Sequence, residues 1–237
     1  MVTVRRTVIV TGALSGVWPA ARDRATKAVV SPGCRLHLTR PVASGADRYA
    51  TAAAVATSAF AAPVPRVLVA TGVETADALA AGAAGARTDS PVLLVTRDRL
   101  PAETAAALTT LRPRDITVVG GGAAVSDAVL AQLRAYAVGG TVTRAAGADR
   151  YVTAARLAEL VWPSTTPVVY LATGRAPWDA LTGVPAAGRD GAPVLLVEPT
   201  CLPGATKRQL DRLQPTTVVV LGGTDAVSAR AVDGAAC

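Results

Sequence analysis

Short apolar runs rich in β-branched residues alternate along the chain with longer alanine-rich segments, and this alternation predicts strands separated by helices. The predicted strands are residues 66–71, 91–96, 115–119 and 140–144. The predicted helices are residues 47–60, residues 75–87, a segment that starts at Pro101 and stops before Pro113, and residues 125–136. The run at 91–96 is continuously apolar, which is typical of a strand buried on both faces of a sheet.

Most of this pattern occurs twice, because segments of the first copy return 102 residues later without a gap. The repeated segments start at Gly45, Ala70, Asp77, Pro91, Leu100, Gly120 and Ala124, and again at Gly147, Ala172, Asp179, Pro193, Leu202, Gly222 and Ala226. We therefore predict two tandem units, at residues 35–140 and 141–237. Right-handed crossovers give each unit a small open, mostly parallel sheet with helices on both faces, so the predicted fold class is α/β.

The first residues do not follow the repeat, and two interpretations of them stay open. Arg5 and Arg6, followed by an apolar stretch and two small alanines, are typical of a secretory signal peptide, which predicts a leader at residues 1–26. The alternative is a degenerate partial repeat, because residues 8–15 resemble the strand and glycine turn at 117–126.

Composition excludes several classes of protein. Half of the residues are hydrophobic, which a disordered tail would not show, and only 3% are aromatic, which argues against binding nucleic acid by base stacking. No apolar run approaches the roughly 18 residues of a transmembrane helix. The formal net charge of +7 favours an anionic partner without specifying it.

The catalytic inventory is small. His37 is the only histidine, and its spacing from Cys34 lacks the further ligands that a zinc site needs, so no metal is predicted. Serine-hydrolase, phosphate-binding-loop and metalloprotease motifs are absent from the sequence. We therefore expect a protein without a cofactor that is not an enzyme.

The glycine turn that follows the third strand of each unit is the nearest approach to a cofactor motif. Glycines in this position present backbone N–H groups to phosphate in dinucleotide-binding folds, but the G-x-G-x-x-G fingerprint is not met. A structural turn is the favoured interpretation. A weak anion-binding nest at Gly121, Gly122 and Gly223 stays open.

Two aspartates recur in each unit, at Asp47 and Asp77 and at Asp149 and Asp179. Paired carboxylates are found in glycoside hydrolases, where they flank the bond that is cleaved. All four aspartates, however, lie near the start of a predicted helix, where a carboxylate caps free N–H groups and interacts with the positive end of the helix dipole. Helix capping is therefore the favoured role.

An arginine directly follows the first aspartate of each unit, at Arg48 and Arg150. A cation at the start of a helix is unfavourable to the helix dipole, so each guanidinium is expected to have an anionic partner. That partner is either an acid of the same or the neighbouring unit, with Asp77 and Asp179 as candidates, or an external anion.

The order of the repeated motifs resembles the cell wall binding repeat 2 family. The motifs are Gly-Ala-Asp-Arg-Tyr, Ala-Thr-Gly followed by Asp-Ala-Leu, Pro-Val-Leu-Leu-Val, Leu-Pro, and Gly-Gly followed by Ala-Val-Ser. The resemblance covers residues 40–237 and implies an exported, non-enzymatic protein of Gram-positive bacteria that attaches to anionic wall polymers. Family members commonly carry three repeats, so the two repeats here suggest self-association that completes a three-repeat assembly.

Candidate ligand-binding residues are taken from the repeated motifs and the glycine turns. They are Arg48, Arg150, Tyr49, Tyr151, Gly121, Gly122 and Gly223. The remaining repeated residues, Asp47, Asp149, Asp77 and Asp179, are expected to be structural.

Two of the three cysteines, Cys201 and Cys237, lie in the second unit at positions where the first unit has Arg99 and Ala135. A cysteine pair in the last repeat also resembles actinobacterial members of the family, and in an exported protein it would form a disulfide. Three reduced thiols are the alternative, and Cys34 has no assigned role.

The function expected from the sequence is that of a secreted, wall-associated and non-catalytic binding module for anionic wall polymers. Two alternatives remain. One is an accessory protein that binds another envelope protein, and the other is a small α/β enzyme that acts on nucleotide or glycan.

Overall fold

A computed structural model describes the backbone of Arg5–Ile9 and residues 43–176 and 178–237 of the chain. The elements up to the end of the first sheet are β1 (Arg5–Ile9), α1 (Arg48–Ala59), β2 (Arg66–Thr71), α2 (Thr75–Thr88), β3 (Val92–Val95), α3 (Ala102–Leu111), β4 (Asp115–Val119), α4 (Asp127–Leu133) and β5 (Val142–Ala145). The remaining elements are α5 (Arg150–Val161), β6 (Val168–Thr173), α6 (Trp178–Arg189), β7 (Val194–Val197), α7 (Gly204–Leu213), β8 (Thr217–Leu221) and α8 (Ala229–Val232).

These elements agree closely with the pattern in the sequence, with one clear difference. The helix predicted at 125–136 starts at Asp127 and ends at Leu133, where the chain continues as one 3₁₀ turn, Arg134–Tyr136. Asp47 and Asp149 cap their helices as expected, because their Oδ1 atoms accept hydrogen bonds of 2.8 Å from the N–H groups of Ala50 and Val152.

The described strands form two parallel sheets, in the orders β3-β2-β4-β5 and β1-β8-β6-β7. The α/β fold of two tandem units is therefore confirmed. The repeat boundary at residue 141 does not coincide with the boundary between sheets, because β5 begins the second unit in sequence but pairs with β4 of the first.

Strand β1 occupies beside β8 the place that β5 occupies beside β4. Arg6 pairs with Val218, which is the repeat equivalent of Ile116, and Ile116 pairs with Val142. Residues 8 and 9 therefore take a β5-type position and not the β4-type position that their likeness to residues 117–126 suggested. The other residues of the predicted leader lie outside the described part of the chain, so the leader stays a prediction.

The two faces of the first sheet pack against different layers. On β2, Val67 and Val69 point toward α1, α3 and α4, where they join an apolar cluster confined to the first unit. Leu68 and Ala70 point the opposite way, toward α2, and join a larger cluster that continues through the second unit. We call this larger cluster the shared core.

Helix α2 is the element that joins the units, because it packs on its own sheet and also contacts α5 and α6. Small residues permit the close approach of the helices. A Cβ atom added to Gly188 of α6 would lie only 2.7 Å from the Cβ of Ala86, and one added to Gly82 would lie 3.0 Å from Val184.

A disulfide joins Cys201 to Cys237 with a Cα–Cα distance of 5.0 Å, which confirms the predicted pair. Next to it, the N–H of Leu202 donates to the carbonyl of Ala235 at 2.7 Å. The bridge thus holds the final segment of the chain against the loop before α7. Cys34 lies outside the described residues.

Candidate functional site

The carboxyl ends of the parallel strands form the expected place for a ligand site. In the first sheet, β3 follows β2 in sequence and lies on one side of it, whereas the next strand, β4, lies on the other side. The same arrangement places β7 and β8 on opposite sides of β6. The strand order therefore reverses between β2 and β4 and between β6 and β8, which makes each of these places a topological switch point. Open α/β sheets bind ligands in the crevice at such points. The glycines that follow these strands, Gly72 and Gly120 in the first unit, lie at this edge.

The repeated arginine and tyrosine both contact the glycine that follows the first strand of their unit. Arg48 Nη1 donates to the carbonyl of Gly72 at 2.5 Å, and Arg150 Nη1 donates to that of Gly174 at 2.6 Å. A Cβ atom at Gly72 would lie 2.6 Å from Cε1 of Tyr49. The Gly-Ala-Asp-Arg-Tyr and Ala-Thr-Gly motifs of each unit therefore contact each other in the folded chain.

Arg150 also reaches across the boundary between the units. Its Nη2 atom lies 3.7 Å from Oε2 of Glu74, so the predicted acidic partner exists but is Glu74, where the sequence suggested Asp77 or Asp179. The repeat equivalent of Glu74 is Ala176, which cannot form this pair.

Arg48 differs from its repeat equivalent. Among the described residues no carboxylate lies within ion-pairing distance of Arg48, and its guanidinium carbon lies 5.8 Å from the ring centroid of Tyr49. The partners of Arg48 among the described residues are thus the carbonyl of Gly72 and the Tyr49 ring. Its guanidinium is exposed and can donate hydrogen bonds to an external anion.

Asp77 and Asp179 lie in the first turns of α2 and α6 and face the glycine turns. An added Cβ would lie 2.7 Å from Asp77 Oδ2 at Gly120 and 2.6 Å from Asp179 Oδ2 at Gly222, and both glycines have positive φ angles, 120° and 107°. Neither carboxylate accepts a hydrogen bond from a described residue, so they do not cap N–H groups of those residues. Both lie in the first turn of their helix, where the sequence predicted a carboxylate facing the helix dipole. Their contacts also explain why each turn needs glycine.

Asp77 is more deeply buried than Asp179, with 8% of its surface exposed. Burial raises the pKa of the Asp77 carboxyl above its ordinary value, and the Arg150 guanidinium offsets only part of this effect. Asp77 is therefore a carboxylate whose ionisation destabilises the folded chain.

The glycine turn of the first unit is held by Arg144, a residue that the sequence analysis missed. Its Nη1 atom donates to the carbonyls of Gly120 at 2.9 Å and Val125 at 2.8 Å, and its Nη2 atom pairs with Asp127. The signal in the sequence was a basic residue at the end of the fourth predicted strand.

The remaining glycines of the turns are open to solvent. A Cβ atom at Gly122 or Gly223 would meet nothing within 4 Å, and one at Gly121 only the carbonyl oxygen of Gly147 at 3.8 Å. A ligand can approach these three positions, so their role in an anion-binding nest stays a prediction.

Tyr151 has a polar partner that Tyr49 lacks. Glu198 accepts two hydrogen bonds from Arg175, of 2.8 and 3.1 Å, and lies beside the Tyr151 hydroxyl. Burial, together with this carboxylate, raises the pKa of Tyr151 to about 12. The first unit has Val73 and Thr96 at the positions of Arg175 and Glu198, so this network is specific to the second unit.

Within the described ranges, no cluster of three metal-ligating side chains occurs, and no helix has the length and apolar character needed to cross a membrane. Cys34 and His37 lie outside those ranges.

Two α/β units with interlocked repeat motifs define a tandem-repeat binding module, and comparison with known proteins agrees. The model of Cell wall binding domain 2 (CWB2) matches residues 43–130 and 144–232. The chain belongs to this family, as the motifs in the sequence indicated, and contains two copies of the wall-binding domain.

Two curated relatives come from Bacillus subtilis (strain 168). The chain is 30% identical over 184 residues to N-acetylmuramoyl-L-alanine amidase LytC and 31% identical over 185 residues to the Amidase enhancer. The alignments cover 78% of this chain but only 36% and 24% of those proteins. The chain thus spans about a third or less of these relatives, and the matched part corresponds to the binding domains.

Two solved structures from Clostridium difficile share the fold. Cwp6 superposes with a TM-score of 0.74 at 28% identity, covering 81% of this chain and 30% of Cwp6. Cwp8 gives a TM-score of 0.73 at 24% identity, covering 81% of this chain and 32% of Cwp8.

The contact between the repeated tyrosine and glycine generates a stability prediction. Gly174→Ala is expected to destabilise the chain by about 1–3 kcal/mol, because the new methyl group would overlap the Tyr151 ring. Gly223→Ala is the matched control, since it adds the same methyl group in open space. Chemical denaturation measures both variants, and equal stability of the two would contradict this packing.

The buried carboxylate generates a prediction about pH. The folded-state pKa of Asp77 is raised, so its destabilising effect is complete above that pKa and vanishes below the unfolded value near 3.8. Asp77→Asn is expected to raise the melting temperature at pH 7 by about 2–4 °C, with a smaller gain toward pH 4. Asp179→Asn, at the half-buried equivalent position, is the control. A melting temperature of Asp77→Asn below that of the wild type at pH 7 would show that the charge is stabilising.

Proposed function

We propose that the chain is a non-catalytic module that is exported and attaches non-covalently to anionic polymers of the cell wall. The observation that carries this proposal is that both repeats match a wall-binding domain. The net charge of +7 supports a polyanionic ligand, because it favours association with negatively charged surfaces.

The roles of the repeated polar residues support a binding function over the alternative of an enzyme. Asp47 and Asp149 cap helices, and Asp77 and Asp179 face glycine turns. The paired aspartates therefore have structural roles of their own. The name of the amidase relative describes that protein, and the match covers only 36% of it.

Arg48 is the repeated residue best suited to contact a polymer. It lies at the carboxyl edge of the first sheet, is exposed, and has no described acidic partner, whereas Arg150 is paired with Glu74. The two arginines occupy equivalent positions and make the same hydrogen bond to a glycine carbonyl, so variants of Arg150 are a control for variants of Arg48.

Sedimentation with purified wall sacculi tests this function. The chain is expected to bind intact sacculi more tightly than sacculi stripped of anionic polymers, with affinity falling as salt rises. Arg48→Ala is expected to weaken binding by the folded variant about tenfold, as for one lost charge-assisted hydrogen bond to the polymer, with a lower melting temperature because its bond to Gly72 is also lost. Arg150→Ala should act mainly on stability.

Two results would count against the proposal. Equal binding to intact and stripped sacculi would contradict a polyanionic ligand. Wild-type affinity of a folded Arg48→Ala variant would remove Arg48 from the contact while leaving the wall-binding function intact.

We further propose that the chain self-associates through faces that its two units leave uncovered. Leu79 of α2 is 6% exposed, but its equivalent on α6, Leu181, is 48% exposed. Conversely, Leu157 of α5 is 1% exposed, but its equivalent on α1, Val55, is 47% exposed. Helix α2 contacts α5, but their equivalents α6 and α1 leave Leu181 and Val55 exposed on the two units. Two different faces that could pair with each other are the pattern of a head-to-tail interface.

A second copy is the occupant that continuity with the internal interface favours. Two chains joined in this way would hold four repeats, one more than the three-repeat assembly that the sequence suggested. Analytical ultracentrifugation is expected to show concentration-dependent association that Val55→Glu or Leu181→Glu abolishes. Val138→Glu changes an equally exposed valine outside these faces and should have no effect. A monomer at all concentrations would contradict self-association without affecting wall binding.

A further inference from the structure

A cleft of about 380 Å³ lies between the two units, at the amino ends of β6 and β7 and therefore opposite the glycine turns. Its walls come from the end of α2, the connection from α5 to β6, and the connection from α6 to β7. Its lining includes Arg87, Trp162, Ser164, Thr165, Arg189 and Asp190. The volume is within the range of sites for small ligands.

Arg87 and Arg189 are repeat equivalents, and each unit contributes one of them to the cleft. Arg87 reaches across the boundary between units, because a Cβ atom at Gly191 would lie 3.6 Å from its Cδ atom. Its guanidinium makes neither a hydrogen bond nor an ion pair with any residue in the described part of the chain. The aliphatic part of Arg87 is thus held against the second unit, and its guanidinium has no polar partner among the described residues.

The helix cap beside Arg87 differs between the units in a way that leaves this cation unpaired. Asp89 ends α2 in the left-handed conformation, with φ of 48°. The equivalent position after α6 is Gly191, with φ of 63°. Gly191 lies beside Arg87 and has no side chain, so the second unit lacks the carboxylate that Asp89 supplies in the first unit.

The polar groups on the floor of the cleft are held in place. Trp162 Nε1 donates to the carbonyl of Gly191 at 2.7 Å, and the Tyr170 hydroxyl donates to Asp190 Oδ2 at 2.6 Å. The bond from Tyr170, with one from Arg189, lowers the pKa of Asp190, so its carboxylate is ionised at neutral pH. The cleft therefore combines a free cation with a fixed hydrogen-bond acceptor.

This combination selects a class of ligand. Arg189 is paired with Asp190 at 3.2 Å, so Arg87 leaves the cleft with a net positive charge that attracts an anion and repels a simple cation. The remaining lone pairs of Asp190 accept hydrogen bonds, which a simple anion cannot donate. A sugar that carries an acidic group satisfies both, because its anion pairs with Arg87 while its hydroxyl groups donate to Asp190. Ser164 and Thr165 add exposed hydroxyls on the same wall.

We propose that this cleft is a subsite for an acidic sugar unit of the wall polymer, an inference that rests on the proposed wall-binding function. It adds a second contact, far from Arg48, at the junction that only the tandem arrangement of the units creates.

Basic residues in the last turn of a helix also interact favourably with the helix dipole, which gives Arg87 and Arg189 a structural explanation. The two explanations differ in what mutation changes. A dipole role predicts a lower melting temperature with unchanged binding, whereas a subsite predicts weaker binding by a chain of unchanged stability.

Binding to intact wall sacculi and to sacculi stripped of anionic polymers tests the proposal with four variants. Arg87→Gln removes the cation, and Gly191→Asp supplies it with a carboxylate on a backbone that Asp89 shows to be compatible. Each is expected to weaken binding to intact sacculi about tenfold. Arg208→Gln removes an exposed arginine elsewhere and should reduce affinity less than twofold.

The fourth variant, Asp190→Asn, separates an acidic sugar from a simple anion. Loss of the carboxylate should weaken binding if it accepts hydrogen bonds from a sugar, and should strengthen binding if the ligand is only an anion. Stronger binding would therefore overturn the assignment to a sugar.

The remaining outcomes distinguish the subsite from the function on which it rests. Undiminished binding by folded Arg87→Gln and Gly191→Asp variants would overturn the subsite alone. An equal loss in Arg208→Gln would do the same, by showing that only total charge matters. If the wild-type chain does not prefer intact sacculi, the anionic polymer of the proposed function is ruled out as the ligand, and the subsite is ruled out with it.

Discussion

The burial of α2 between its own sheet and two helices of the next unit is the contact on which the rest of the structure depends. It merges the inner face of the first sheet and the whole interior of the second unit into the shared core. It also places Arg150 beside Glu74 and Asp77 at one end of the helix, and Arg87 beside Gly191 at the other. Both the buried carboxylate and the cleft are consequences of this packing.

Differences between the two repeats carry more functional information than their identities. The residues that recur, such as the arginine, tyrosine and glycine of each unit, contact one another and stabilise the fold. Two of the positions that differ lie where the units meet. Glu74 has Ala176 as its equivalent, and Asp89 has Gly191. Each difference changes the charge or the shape of the surface that the unit presents to a neighbour.

Local structure could be predicted from the sequence because its signals are local. The strand Asp115–Val119 and the helix caps at Asp47 and Asp149 depend on residues within a few positions of each other. The bond from Arg48 to Gly72 spans 24 residues, and the ion pair of Arg150 with Glu74 joins the two units. Periodicity cannot report such contacts, so the true partner of Arg150 and the role of Arg144 required the folded structure.

If the shared core couples the two units, they must unfold together. Differential scanning calorimetry of the intact chain, with the Cys201–Cys237 bridge formed, tests this most directly. We expect one transition in which the calorimetric and van't Hoff enthalpies agree, because loss of either unit exposes α2 and its apolar partners. Two separate transitions, or a calorimetric enthalpy about twice the van't Hoff value, would show that the units fold independently and would contradict the account.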